Sequence, residues 1–340
     1  MTLRIGTRKS PLALWQAHRV RDLLAARGEP CELVPMSTEG DRIVDRPLSE
    51  VGGKGLFIKE LETALAEGRA DLAVHSAKDV PFALSSEFIL SAFPQREDPR
   101  DALVAPLWKT FANLPRGARV GTSSLRRAVQ LLAARPDLVI VPVRGNVQTR
   151  LALATGGTVL RGGKEVRPAD SDPQGPLDAV VLALAGLRRL GLEEQVTEIL
   201  SVELCLPAAG QGALAIEAVS GARGEAATRP LDDGAVSRCV RAERAVLARL
   251  SGGCTVPVAA YATLSGAQLF LRAALGGPDG QGGVAIVRAE ARVEVAPAAW
   301  SVEPEALGSK VGEALLSKGG GPLLEAARSH AFGLPAPKRA

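Results

Sequence analysis

Up to about residue 200 the chain alternates short β-rich apolar runs with segments whose apolar residues recur at helical spacing. That alternation predicts a mostly parallel α/β sheet with helices on its faces. Phe57, Leu61 and Leu65 mark one buried helical face over 57–67, and Leu125, Val129 and Leu132 mark another over 124–134. DLAVHSAKDVP (71–81) predicts a short strand that stops in a polar turn ended by Pro81. The longest apolar run, LDAVVLALAGL (177–187), is too short to cross a bilayer and reads as a buried strand entering a turn. After about 220 the pattern changes. A helix is expected over 235–250, with Val236, Val240, Leu247 and Leu250 on one side, followed by three strand-like runs at 256–264, 268–275 and 284–295. GGPDGQGG (276–283) reads as the hairpin loop between the last two runs, and a helix containing Leu307, Val311 and Leu315 follows. This third part is expected to be a small α+β unit with an antiparallel sheet.

Two Pro- and Gly-punctuated stretches, 87–105 and 206–217, read as crossings between domains. If the intervening hundred or so residues are inserted between them, the first part of the chain forms two lobes around a cleft. Ligands of open α/β sheets bind at strand ends that face such a cleft. Residues 155–176 are rich in Gly, Pro and charge and are expected to form an exposed loop or hairpin.

At 340 residues the chain exceeds one comfortable core, so two or three domains are expected. With 46% hydrophobic and 23% charged residues it belongs with globular chains rather than disordered ones. A net charge of +4 suits an acidic small molecule at least as well as nucleic acid, and 3% aromatics argue against stacking platforms for single strands. A strand begins almost at once and no secretory core precedes it, so a cytoplasmic location is expected. Cys31, Cys205, Cys239 and Cys254 show no paired C-x-x-C spacing, so neither a metal nor a disulfide is expected. Cys31 and Cys205 lie in strand-like runs and Cys239 on a helix, and all three read as packing residues.

The candidate chemistry sits where strands run into helices. In LRIGTRKSPLALW (3–15), RVGTSSLRRAVQLL (119–132) and VIVPVRGNVQTRLAL (139–153), an apolar strand meets a loop of Ser, Thr or Asn beside Arg, and the loop opens into a helix. A helix start offers unpaired N–H groups and the positive end of the macrodipole. Arg8, Arg126, Arg127, Arg144 and Arg150 add planar, permanently charged forks that match carboxylates. Ser10-Pro11 alone is an ordinary cap. Three such junctions point to a multiply charged anion.

Asp79 follows a strand end, beside Lys78, where it is either aimed into a cleft or caps a turn. His75 at the same strand end reads first as a structural hydrogen-bonder, and Ser76 is a weaker candidate. Lys54, in VGGKGLFIKELE, lacks P-loop spacing and reads as one cation on a Gly-rich turn. Phe57 beside it is either core or a ring-stacking lid. Cys254 follows Gly252 and Gly253, which leave the sulfur unobstructed, although a small buried thiol is the commoner use of an isolated cysteine.

Taken in order, TRKSPLALWQAH, VGGKGLFIKELE, AVHSAKDVP, REDPRDA, GTSSLRR, RGNVQTRL, AGLRRLGL, PAAGQGALAIE and GGCTVPV strongly resemble the porphobilinogen deaminase (hydroxymethylbilane synthase) family from about residue 3 to 260. The resemblance implies two periplasmic-binding-protein-like α/β domains around a cleft plus a smaller α+β domain. Their implied extents are 1–94 with 204–221, 95–203, and 222–340. It also implies a dipyrromethane cofactor joined by a thioether to Cys254, onto which four porphobilinogen units are condensed with loss of ammonia before the linear tetrapyrrole is hydrolysed away. Asp79 takes the family's catalytic position. Lys78, Thr122, Ser123, Ser124, Arg126, Arg127 and Arg144 are expected around the cofactor, and Arg8, Ser10, Lys54, Phe57, Ser76, Arg150 and Arg189 around the substrate. The resemblance further implies a monomer with a small-molecule substrate and neither nucleic acid nor membrane as partner.

Two other classes compete on the residues alone. A two-lobed anion receptor explains the helix-start arginines without needing Asp79 or Cys254. A nucleic-acid-binding protein predicts clustered basic faces, whereas here the arginines punctuate strand–helix junctions.

Overall fold

The computed structural model describes residues 2–38, 58–161, 164–171, 175–250, 256–296 and 302–328. β1 (Leu3–Arg8) buries Leu3 and Ile5, and Ser10 in extended conformation starts α1 (Pro11–Ala25). β2 (Cys31–Met36) returns parallel to β1. α2 (Lys59–Ala66) buries Leu61, Ala64 and Leu65, and β3 (Leu72–Ser76) pairs parallel with β1 on its other side. After β4 (Phe88–Ala92) the chain leaves this sheet.

β5 (Asp101–Val104) opens the second sheet, followed by β6 (Arg119–Gly121), α3 (Leu125–Ala134), β7 (Val139–Val141) and α4 (Val147–Thr155). β8 (Val159–Arg161) and β9 (Lys164–Val166) form a separate antiparallel hairpin within the 155–176 segment. β10 (Ala179–Ala183) then enters the second sheet and passes straight into α5 (Leu184–Arg189), so the longest apolar run is half strand and half helix. β10 buries Val180 and Leu182 on one face and Ala179 and Val181 on the other, as a strand covered on both sides must. β11 (Glu198–Ile199) ends the excursion, and β12 (Leu214–Val219) rejoins the first sheet between β3 and β4.

The sheet orders are β2-β1-β3-β12-β4 and β11-β5-β10-β6-β7. Both are mixed rather than parallel throughout: β12 runs antiparallel to β3 and β4, and β5 antiparallel to β10 and β11. β5 and β12 are the strands on which the chain changes sheet. Each arrives without a helical crossover from a neighbouring strand, the connection that enforces parallel pairing. The two connections touch: Glu97 N–H donates to the Gly212 carbonyl at 3.2 Å. Gly212 has φ +86°, and a Cβ there would lie 2.3 Å from the Glu97 oxygen, so this approach requires glycine.

After α6 (Arg223–Thr228), α7 (Gly234–Arg249) leads to the antiparallel meander β13 (Val258–Ser265), β14 (Gln268–Pro278) and β15 (Val284–Glu294). α8 (Glu303–Leu315) and α9 (Gly321–Arg328) close the unit. Val246, Ala260, Leu271, Leu275, Val311 and Leu315 share its core. The hairpin loop is shorter than 276–283, because Gly276 and Gly277 continue β14. A Cβ on Gly276 would lie 2.7 Å from Val129 of α3, so that glycine lets the third sheet seat against the second lobe. Cys205 lies in a buried turn after β11 rather than in a strand.

Candidate functional site

All three strand–loop–helix junctions form as their spacing predicts. Ser10 Oγ accepts the Ala13 N–H at 3.3 Å, Ser124 Oγ accepts the Arg127 N–H at 3.5 Å, and Asn146 Oδ1 accepts the Thr149 N–H at 2.9 Å. These caps fix where each helix begins and therefore where its arginines stand. A fourth strand end converges with them: β3 finishes at Ser76 and continues into a 3₁₀ turn over Ala77–Asp79.

Two adjoining cavities result. Arg8, Ser10, Gln16, His75, Ser76 and Asp79 line one, and Lys78, Arg127, Arg150 and Arg189 bring four cations to the other. Ser76 and Leu12 belong to both walls. Asp79 is exposed, and among the described residues no hydrogen bond or ion pair reaches its carboxylate. Ser76 Oγ instead accepts from Gln16 Nε2 at 2.8 Å.

The cations are held short of neutralisation. Burial pushes the Lys78 ammonium down to about 8 against the opposing pull of Asp79, with Arg127 and Arg126 adding repulsion. Its Nζ donates to Gln211 Oε1 at 3.4 Å. Arg150 donates from Nε to the Gly145 carbonyl at 2.9 Å, and burial followed by the charge of Arg127 lowers its pKa, with Arg144 contributing in the same direction. Arg189 donates to the Gly212 carbonyl at 2.6 Å and stands 5.5 Å from the Trp15 ring centroid, and burial brings it down to about 10. Such a cluster is electrostatically incomplete without an anion.

Beneath it lies Asp101, fully buried at the start of β5. Its carboxylate accepts from Arg126 Nη1 at 2.7 Å, Arg127 Nη2 at 2.8 Å and Nε at 3.0 Å, Gln211 Nε2 at 2.9 Å and Cys205 Sγ at 3.2 Å. The two guanidiniums hold its pKa well below the carboxylate range despite its burial, while burial drives the Cys205 thiol up to about 12. Arg126 also donates to the Leu206 carbonyl at 2.8 Å and lines neither cavity, so its charge acts from below. Ser123 is likewise occupied: its Oγ donates to the Val143 carbonyl at 2.6 Å and accepts the Val143 N–H at 2.9 Å. Thr122 is buried and its Oγ1 accepts the Ser124 N–H at 3.2 Å. His75 bonds Glu217 at 2.8 Å across β3 and β12, the structural use expected of it.

Lys54, Phe57 and Cys254 lie outside the described residues. The residues that the sequence reading missed are Gln16, Asp101 and Gln211. Asp101 did carry a signal, since a carboxylate heading the buried run DALVA must find cations or donors. Among the described residues no group of three or more His, Cys, Asp or Glu could hold a metal ion, and no helix is long and apolar enough to cross a membrane.

Known proteins can be set beside this geometry. Residues 3–226 match the family model described as "Porphobilinogen deaminase, dipyromethane cofactor binding domain", and 237–317 match "Porphobilinogen deaminase, C-terminal domain". A porphobilinogen deaminase of Bordetella parapertussis is 52% identical over 85% of this chain and 87% of its own length. One from Stenotrophomonas maltophilia is 50% identical over 95% of this chain and 99% of its own. Among solved structures, the periplasmic aliphatic sulphonate binding protein SsuA from Escherichia coli aligns at 17% identity and a TM-score of 0.38, over 73% of this chain and 70% of its own.

Proposed function

The chain belongs to the porphobilinogen deaminase family, and from that premise we propose that the cation-lined cleft is where it makes hydroxymethylbilane, with Asp79 as the catalytic group. The enzyme is a transferase of porphyrin biosynthesis. It condenses four porphobilinogen molecules head to tail onto a covalently bound dipyrromethane, releases ammonia at each addition, and hydrolyses the product free.

The observation that carries the assignment is the contrast between adjoining walls: a carboxylate that no bond reaches among the described residues, beside Lys78, Arg150 and Arg189, which pair with no carboxylate among them. Pyrrole rings bearing acetate and propionate groups match that excess of positive charge, so the donor set fits dipyrromethane. Lys78, Arg127, Arg144 and Ser124 would hold it, with Thr122 and Ser123 shaping the loop and Arg126 adding charge from below. Held by these residues and joined to Cys254, dipyrromethane would supply an unsubstituted ring carbon as the acceptor for the first unit. Arg8, Ser10, Ser76, Arg150 and Arg189 are assigned to the substrate's carboxylates, and Lys54 and Phe57 are assigned to the substrate with them.

When the C–N bond of porphobilinogen's aminomethyl group breaks, the electron pair leaves with ammonia and an azafulvenium cation remains. A fixed carboxylate beside the reacting carbon stabilises that developing positive charge. Asp79 can also hydrogen-bond the pyrrole N–H and accept the proton lost from the ring carbon after the new C–C bond forms. Under the proposed division into 1–94 with 204–221, 95–203 and 222–340, Asp79 and the arginines of α3, α4 and α5 fall to different lobes and Cys254 to the third unit. The assignment includes action as a cytoplasmic monomer on a small molecule, with no nucleic acid or membrane as partner.

Intact mass spectrometry tests the site. The purified protein should be heavier than its chain by a two-pyrrole adduct that Cys254→Ser removes. A bare polypeptide mass in an active preparation would sink the assignment and favour an anion receptor.

A further inference from the structure

The segment that follows Asp79 is held from outside its own sheet. Arg244, on α7 of the third unit, donates from Nη1 to the Val80 carbonyl at 3.1 Å and from Nη2 to the Pro81 and Phe82 carbonyls at 2.5 and 3.4 Å. Three successive carbonyls immediately after Asp79 therefore converge on one planar fork. The segment belongs to no helix or sheet, and Pro81 has no N–H with which to join one. Burial pushes this guanidinium down to about 10, opposed only by the charge of Glu217, so a cation is retained where an apolar side chain would be easier to bury. The preceding residue, Glu243, binds the two connections between the lobes: it accepts from Arg96 at 2.7 Å and from the Gly210 N–H at 2.7 Å. α7 ends at Arg249, shortly before Cys254.

We propose that Arg244 is a positioning residue that transmits the placement of the sulfur-bearing unit to Asp79, setting its carboxylate against whatever is anchored at Cys254. The inference rests on Asp79 being the group that acts. A purely architectural Arg244 would contribute stability and leave the chemical step alone. A positioning Arg244 governs kcat, because reacting groups lose rate steeply when misplaced by about 1 Å.

The test compares wild type, Arg244→Gln and Arg244→Lys as holoenzymes, by intact mass, thermal midpoint, kcat and KM with porphobilinogen, and hydrogen–deuterium exchange. In Arg244→Gln we expect the adduct retained, KM within about twofold, kcat lower by about tenfold or more, and faster exchange confined to the segment around Asp79. Arg244→Lys, which keeps the charge but not the fork, should recover part of kcat. A kcat within about twofold of wild type in Arg244→Gln, or a kcat loss that appears only with adduct loss, overturns the proposal. Should the Gln variant fail to fold, Arg244→Lys decides by the same criteria. Turnover by Asp79→Ala would instead remove the reading beneath it, so the two failures are distinguishable.

Discussion

Asp101 heads β5 and Asp79 closes the turn that follows β3, the Lys78 charge acts on both, and they are opposites. Asp101 is fully buried and accepts five hydrogen bonds from four side chains, two of them arginines. Asp79 is exposed and bonded to nothing among the described residues. The first is committed before any ligand arrives. The second keeps its lone pairs for charge that appears only during reaction. Partnership therefore separates the two roles, since residue type and neighbourhood do not.

Removing each carboxylate in turn is the sharpest way to break that comparison. Asp101→Ala strands two buried guanidiniums and should cost about 3–5 kcal/mol in denaturant unfolding; a loss below about 1 kcal/mol would mean that the node is not what holds the arginines. Asp79→Asn should lower kcat by about 10²–10³-fold while unfolding shifts by no more than about 0.5 kcal/mol, the norm for exposed positions. Equal stability losses in the two variants would erase the distinction.

Protonation gives a second separation. The folded Asp101 titrates below its unfolded value of about 3.9, so its stabilisation is present above about pH 4 and is lost as pH falls toward the folded pKa. Asp101→Asn should flatten that acid limb of the stability curve. Lys78 runs the other way, deprotonating near 8 when folded and near about 10.4 when unfolded, so its share of stability rises between those values. Read by denaturant unfolding, Lys78→Arg should flatten that rise, because a guanidinium stays charged across the window. The smallest effect is expected at the caps: Ser124→Ala should cost about 1 kcal/mol, read by thermal unfolding, with turnover preserved where the protein stays folded.

Much of this was legible in the sequence. The three caps were readable because Ser10, Ser124 and Asn146 stand directly before helical periodicity, and local signals suffice for helix starts. The meander was readable because β13 to β15 fall on strand-like apolar runs, with a Gly-rich turn between the last two. What local pattern could not show was pairing across distance. Asp101 meets Gln211 only because the two inter-lobe connections run side by side, and Arg126 turns downward because that carboxylate waits there. The parallel or antiparallel sense of β5 and β12 depended equally on where the chain came from, which no window around either strand contains.

The contact of Gly212 with Glu97 has a mechanical outcome. Two backbones pressed together without an intervening side chain act as a strap of two plies, so neither can bend far while the other stays straight. Any swing of one lobe on the other has to bend both connections together or part them at this contact.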